Sequence, residues 1–448
     1  MADAATYTDA FIYSFPIYEM ARTRHLAMSH PLSPLQGRAN RIAHRRTLAD
    51  HTSRAVTTPN NDTLYSSAWL DLSDGPVLVK VPRIAQRYWS LQFLDAFTNN
   101  AAVVGSRNAG EGDLTLWVAL NSDPAQPPEG MRVLRLPTPD IWMLVRIEVR
   151  DNADARTVHP LQDAIQVRAL NAPPESSDPA FPQNSAASAA TARERERPAP
   201  RPTQGMPTDP ANYLAVVNHA LTRNGIPAAE QGLLQRWRSL GLGAGVRAEE
   251  VKAAAPGWAA HFGTLSSDLR ATGGFEDRRV QGWRYPKDSI GTYNGDYPLR
   301  AAVALGGLAA LPVQEALYLG TDQDAEGRPL EPTATYQVRI PPTGIDAGAF
   351  WSITMYQWES DGRSFFANNP IGRYAIGDRT SGLAKNADGS IDLVISRSEP
   401  TDPKARANWL PAPPEGQNRM RLSLRAYLPG AALVAGQQAL PVITRMLP

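Results

Sequence analysis

Cysteine is absent from this 448-residue chain, which excludes disulfides, thiolate zinc sites, iron–sulfur clusters and a cysteine nucleophile. Lysine is scarce: it occurs only at Lys80, Lys252, Lys287, Lys385 and Lys404, so arginine carries almost all the positive charge. With 45 basic residues against 44 acidic ones, the net charge of +1 gives no general pull toward nucleic acid or an anionic membrane, and neither is expected as a partner. No apolar run approaches the roughly 20 residues that a membrane helix needs. The start, Met1-Ala2-Asp3-Ala4-Ala5, has no basic n-region and no apolar h-region. A cytoplasmic protein is therefore expected, or a periplasmic one if a leader has been trimmed.

Other signatures are missing as well. The seven histidines form no HxH or HExxH pattern, and there is no EF-hand loop, so no metal is expected. A hard cation on Asn60, Asp62 and backbone carbonyls is the alternative. There is no G-x-S-x-G elbow and no glycine-rich phosphate loop, since Leu242-Gly243-Ala244-Gly245 resembles a helix terminus. No cofactor is expected.

What is present reads β, then α, then β. Thr8 to Met28 has helical spacing, with Pro16 expected to kink or divide the helix. Short runs rich in β-branched and aromatic residues follow from Leu64 to Val149, separated by turns such as Ser73-Asp74-Gly75-Pro76. Strands at this spacing without intervening helices predict a sandwich or jelly roll. Residues 172–206 are rich in Pro, Ala and Arg and read as a flexible linker. Helical patterns resume over 207–281, the last one interrupted at Pro256-Gly257, and strands return over 282–448. The expected organisation is thus 1–171 as a helix plus a first sandwich, 172–206 as linker, 207–281 as a helical segment and 282–448 as a second sandwich. The two β halves have a similar character, which raises the prospect of a duplication.

The densest polar stretch is Thr58-Pro59-Asn60-Asn61-Asp62-Thr63-Leu64-Tyr65, at the mouth of a strand. Leaving one such group buried and unpaired costs roughly 1–3 kcal/mol, so the stretch is exposed, fully bonded, or a site. With Arg87-Tyr88-Trp89-Ser90, Leu94-Asp95-Ala96-Phe97-Thr98-Asn99, Tyr293-Asn294-Gly295-Asp296-Tyr297, Ala349-Phe350-Trp351-Ser352 and Asn408-Trp409-Leu410-Pro411, it resembles the paired bacterial families DUF1254 and DUF1214. That resemblance covers nearly the whole chain outside the linker. It implies a mainly β fold with α, two β-sandwich, jelly-roll-like domains joined by helices, and assembly as a homo-oligomer. It implies no catalytic set. Many relatives look exported, whereas this chain shows no signal.

Asp62 is the expected general acid/base, with Tyr65 and Tyr293 as catalytic phenols that donate to an oxyanion or stack on a ring. Asn60, Asn61, Arg87, Asp95, Asn294, Asp296 and Tyr356 are the expected substrate-binding residues. Each also has a structural reading. Asn and Asp close Asx turns, Asp95 and Asp296 pair with arginines or cap turns, and Arg87, Arg146, Arg300 and Arg373 anchor a carboxylate or form internal ion pairs. The run Phe350 to Tyr356 alternates, which sets Trp351, Ile353 and Met355 on a core face and Ser352, Thr354 and Tyr356 on the other. The expectation is a hydrolase or lyase acting on a small carbohydrate-like or aromatic compound. The alternative is a ligand-binding or assembly protein without catalysis.

Overall fold

The computed structural model describes residues 3–446 except 30–32, 34, 36–37, 55–56, 171–173, 179–180, 185–199, 204, 272–273, 360–362 and 418. Much of the linker expected over 172–206, including Arg193, Arg195 and Arg197, lies outside the described residues. The chain is mainly β: two sandwiches with a helical layer between them in sequence.

The first sandwich is built from β1 (Ile42–His44), β2 (Thr63–Asp71), β3 (Val77–Val81), β4 (Trp89–Leu94), β5 (Asn100–Gly105), β6 (Leu114–Leu120), β7 (Arg132–Leu136), β8 (Asp140–Glu148) and β9 (Gln166–Ala169), with helix α2 (Asn152–Asp163). Its larger sheet runs β1-β2-β8-β4-β5 and its smaller sheet β7-β6-β3-β9. Alternation drives Leu64, Ala68, Leu70, Leu91, Phe93, Met143, Val145 and Ile147 inward onto Val77, Val79, Leu116 and Val118 of the other sheet.

A small backbone hairpin, β10 (Pro174–Asp178) with β11 (Phe181–Asn184), precedes the helical layer. That layer contains α3 (Pro210–Asn224), α4 (Gln231–Trp237) and α5 (Ala248–Ala271), and α1 (Ala4–Ser29) packs into it. Neither internal proline divides its helix: α1 runs through Pro16 and α5 through Pro256. The missing N–H is outweighed by burial, since Tyr7, Phe11, Phe15, Tyr213, Trp258 and Phe262 share one core. Gly257 lets Tyr7 in, for a Cβ there would lie 3.2 Å from the Tyr7 ring carbon that bears the hydroxyl.

The second sandwich has β12 (Glu276–Val280), β13 (Trp283–Pro286), α6 (Tyr297–Gly306), β14 (Ala316–Thr321), β15 (Tyr336–Ile340), β16 (Ala347–Trp358), β17 (Ser364–Phe365), β18 (Ala375–Gly377), β19 (Ile391–Ser396), α7 (Pro403–Ala407), β20 (Trp409–Pro411), β21 (Met420–Pro429), α8 (Ala431–Val434) and β22 (Val442–Arg445). The larger sheet runs β12-β13-β14-β21-β16-β17 with β18 also on β16, and the smaller one β20-β19-β15-β22. Trp351, Ile353 and Met355 enter the core, as the alternation requires.

The two sandwiches repeat one another. The order β2-β8-β4-β5 returns as β14-β21-β16-β18, and β7-β6-β3-β9 as β20-β19-β15-β22. The single parallel pair of each smaller sheet, β6 with β7 and β19 with β20, falls at the same place. Register repeats as well: Tyr65 faces Arg146 as Tyr318 faces Arg425, and Ser90 faces Gly105 as Ser352 faces Gly377. The segments Tyr88-Trp89-Ser90-Leu91-Gln92 and Phe350-Trp351-Ser352-Ile353-Thr354 carry this repeat in sequence.

Candidate functional site

Each larger sheet has an outer face that is unusually polar for a surface it buries. On the first sheet, β2, β8 and β4 present Tyr65, Arg146, Ser90 and Gln92; on the second, β14, β21 and β16 present Tyr318, Arg425, Tyr427, Ser352, Thr354 and Tyr356. These faces meet. Arg379 of the second sandwich bonds Asp62 of the first at 2.9 Å, and Arg107 of the first bonds Glu315 of the second at 2.8 Å. Asp62 stands three residues before Tyr65 as Glu315 stands three before Tyr318, so the two contacts are reciprocal. Reciprocal contacts of equivalent residues mark a twofold relation, here within one chain.

Near this pseudo-twofold axis lie two buried guanidiniums. Arg146 and Arg425 are each 4% exposed. Arg146 donates to Gln92 Oε1 at 2.6 Å, to the Ala309 carbonyl at 3.0 Å and to the Tyr65 hydroxyl at 3.3 Å. Arg425 donates to Thr354 Oγ1 at 2.7 Å, to the Tyr356 hydroxyl at 2.6 Å and to the Thr58 carbonyl at 3.3 Å. All six acceptors are neutral, and neither guanidinium forms an ion pair among the described residues. Burying a charge without a counter-ion is costly, so an arrangement of this kind asks for an explanation.

Asn60 ties the halves together. Its Nδ2 donates to Tyr65 at 3.2 Å and to Tyr427 at 2.7 Å, while its Oδ1 accepts the Asp62 N–H at 2.6 Å. The backbone just before it is strained: Thr58, a β-branched residue, has φ 49°. The phenols sit in different fields. Burial pushes Tyr65 up, but the Arg146 guanidinium and the bonds from Arg146, Asn60 and Thr63 outweigh it and hold Tyr65 below the usual phenol range. Tyr318 is pushed up to about 12 by burial, only partly relieved by Arg146, and its hydroxyl has no partner among the described residues. Both rings are half-buried. An aromatic wall closes one side, with Phe350 stacked on Tyr427 at 4.2 Å and Tyr88 at 5.0 Å from Tyr427.

Two family models fall on the two sandwiches. Residues 39–169 match the family described as protein of unknown function DUF1254, and residues 315–431 match DUF1214. The chain belongs to the two-domain DUF1254/DUF1214 family. Among solved structures it is similar to the VPA0106 protein from Vibrio parahaemolyticus, 23% identical over 100% of both chains with a TM-score of 0.67, which shows a shared fold. An uncharacterized protein from Burkholderia cenocepacia is 13% identical over 98% of this chain and 88% of its own, with a TM-score of 0.45. No curated protein matches. Among the described residues no helix is long and apolar enough to cross a membrane.

Of the residues singled out from sequence, Asn60, Asp62, Tyr65 and Tyr356 meet in this layer. Asp62 has both carboxylate oxygens engaged, Oδ1 by Arg379 and Oδ2 by Ser352 at 2.8 Å. Asn61 lies alongside, bonded to the Ala49 carbonyl. Others lie elsewhere. Arg87 holds Asp154 through two bonds of 2.9 and 3.0 Å at the start of α2. Asp95 closes an Asx turn onto the Phe97 and Asn99 N–H groups, and burial raises its carboxyl. Tyr293 is buried in the core of the second sandwich, Asn294 is exposed, and Asp296 caps α6 and pairs with Lys287 at 2.8 Å. Sequence reading passed over Tyr318, Tyr427, Arg425, Arg379 and Ser90. Aligning the Tyr88–Gln92 and Phe350–Thr354 segments would have flagged Ser90.

Proposed function

We propose that the chain is an acid/base enzyme, a hydrolase or lyase acting on a small carbohydrate-like or aromatic compound with its own side chains. The observation that carries this reading is the Tyr65 phenol, half-buried and held by Arg146 and Asn60, near a second phenol, Tyr318, that burial pushes the other way. Two titratable groups whose environments push them apart divide base and acid roles between them. Tyr65, its ionised form favoured by Arg146, takes a proton from the substrate. Tyr318 stays protonated and donates to the oxygen on which charge develops. The Tyr88, Phe350 and Tyr427 rings suit a sugar or aryl ring. Asp62 acts as a positioning residue, because its oxygens already hold Arg379 and Ser352.

The unpaired Arg146 and Arg425 favour a second reading, a binding protein that holds an anion without turning it over. Two measurements separate them. Ultraviolet titration of tyrosinate should show one of the 14 tyrosines ionising ahead of the rest, and Tyr65→Phe should remove that step. Incubation with pooled esters, glycosides and hydroxy acids, followed by mass spectrometry, should show a substrate consumed about 10²–10⁴-fold more slowly by Tyr65→Phe. A Tyr65 step indistinguishable from free tyrosine, with no compound consumed, overturns the enzyme reading.

A further inference from the structure

We infer that the ligand of this layer is a compact diacid, with one carboxylate on Arg146 and the other on Arg425; the inference rests on the layer being the ligand site. A guanidinium has five N–H donors in a planar fork. Arg146 commits Nε–H, one N–H of Nη1 and one of Nη2, which leaves one on each terminal nitrogen, the pair that grips a carboxylate. Arg425 commits one N–H of Nη1 and both of Nη2, which leaves Nε–H and one on Nη1; these two diverge, so an acid group on Arg425 takes single N–H bonds rather than a fork. Each half of the layer thus offers charged N–H donors with no carboxylate on them while Tyr65 is neutral.

The chain's own nearby carboxylates are engaged away from these two guanidiniums. Asp62 sits on Arg379 and Ser352, Glu315 on Arg107 and the Tyr88 hydroxyl, and Glu148 on the Tyr88 N–H and, at 3.8 Å, on Arg379. Asp62 lies close enough to influence Arg425, but outside ion-pair distance. Ser90 stands fully buried opposite Arg146 on the neighbouring strand, beside the Tyr88 phenol. A monoanion would neutralise one guanidinium and leave its pseudo-equivalent bare. Two acid groups satisfy both halves, and the twofold relation of the sites matches a ligand with an acid at each end.

The test uses the full chain and isothermal titration calorimetry at fixed ionic strength, with succinate, glutarate and phthalate set against butyrate, benzoate and inorganic phosphate. At least one diacid should bind at least about tenfold more tightly than its monoacid counterpart. Arg146→Gln and Arg425→Gln should each weaken that diacid at least about tenfold and bring the diacid-to-monoacid ratio close to one. Arg146→Lys keeps the charge but loses the fork, so it should weaken binding while circular dichroism stays native, which covers the case of a misfolded glutamine variant. Equal binding of mono- and diacids, preference for phosphate, no diacid binding up to about 10 mM, or indifference to both arginine substitutions overturns the inference. A diacid bound by a protein whose Tyr65 titrates as free tyrosine leaves this inference standing and overturns the acid/base reading. A monoacid bound beside an early-ionising Tyr65 does the reverse.

Discussion

Removing Asp62 should loosen the two sandwiches from one another, and the size of the effect follows from what surrounds it. Asp62 is 3% exposed and the Arg379 side chain 15%, so solvent screens the pair little. Deleting one member of a buried pair costs about 3–5 kcal/mol when the survivor is stranded. Arg379 is not stranded, because it retains Glu148 at 3.8 Å, Asp378 at 3.9 Å and the Phe350 ring at 3.6 Å. That moves the expectation below the usual range, and the lost Ser352 bond returns about 1 kcal/mol. Asp62→Ala should therefore lower the unfolding free energy by about 3 kcal/mol. The pseudo-equivalent pair supplies an internal control. Arg107 is 44% exposed, so its coupling with Glu315 should not exceed about 1 kcal/mol. Urea unfolding of two double-mutant cycles, Asp62→Ala with Arg379→Met and Glu315→Ala with Arg107→Met, measures both couplings directly. Equal couplings, or a larger one for Arg107, would refute the argument that burial rather than topology sets the strength of these clasps.

Further outcomes follow from the same structure. Gly105→Ala and Gly377→Ala should each cost more than about 2 kcal/mol, because a Cβ would lie 2.7 Å from the Ser90 Cα or 3.0 Å from the Ser352 Cα, whereas Gly263→Ala in α5 meets nothing and should gain about 0.5–1 kcal/mol; chemical denaturation checks all three. Burial holds the Asp378 carboxyl up at about 6, against its bond from the Trp351 N–H and the charge of Arg379. A carboxyl raised on folding contributes stability while protonated, so this contribution is full below its ordinary 3.8 and lost as pH rises through about 6. Asp378→Asn should remove that loss, about 1 kcal/mol once its 37% side-chain exposure is allowed for, in melting curves across this range. Asp140 shows the opposite sign: burial pushes it up, but Arg24, Arg223 and Asn224 outweigh that and hold it at about 2. Its contribution is present above the ordinary 3.8 and lost as pH falls through about 2, so Asp140→Asn should blunt the acid limb of the stability profile.

Local order was legible because it is written at short range. The run of short strands expected from Leu64 to Val149 forms, and Trp351, Ile353 and Met355 point inward because side chains alternate with a period of two. What sequence signals misjudged was overridden by packing. Pro16 and Pro256 signal breaks, yet both helices continue where aromatic burial outweighs a lost hydrogen bond. Helix α2 was not expected, although Asp151 caps its start and Ala155, Val158 and Leu161 turn one face onto the first core.

The site divides in the same way. The polar stretch at Asn60, Asp62 and Tyr65 stands out in sequence because so many hydrogen-bonding groups at a strand mouth demand partners. Who those partners are is a property of the docked halves alone. Asn60 reaches Tyr427, Asp62 reaches Arg379 and Ser352, and Thr58 reaches Arg425, each across about 300 or more residues of chain. Nothing near Arg425 in sequence distinguishes it from the other arginines, since a guanidinium is singled out only by burial and by the absence of a carboxylate. Sequence by itself determined the strands, their inward faces, the helical layer and the polar stretch, all of which depend on neighbours a few residues away. Tertiary structure decided that the outer faces of the two larger sheets close on each other, and so brought two tyrosines and two unpaired arginines into one layer, because that outcome depends on the docking of two separately formed surfaces.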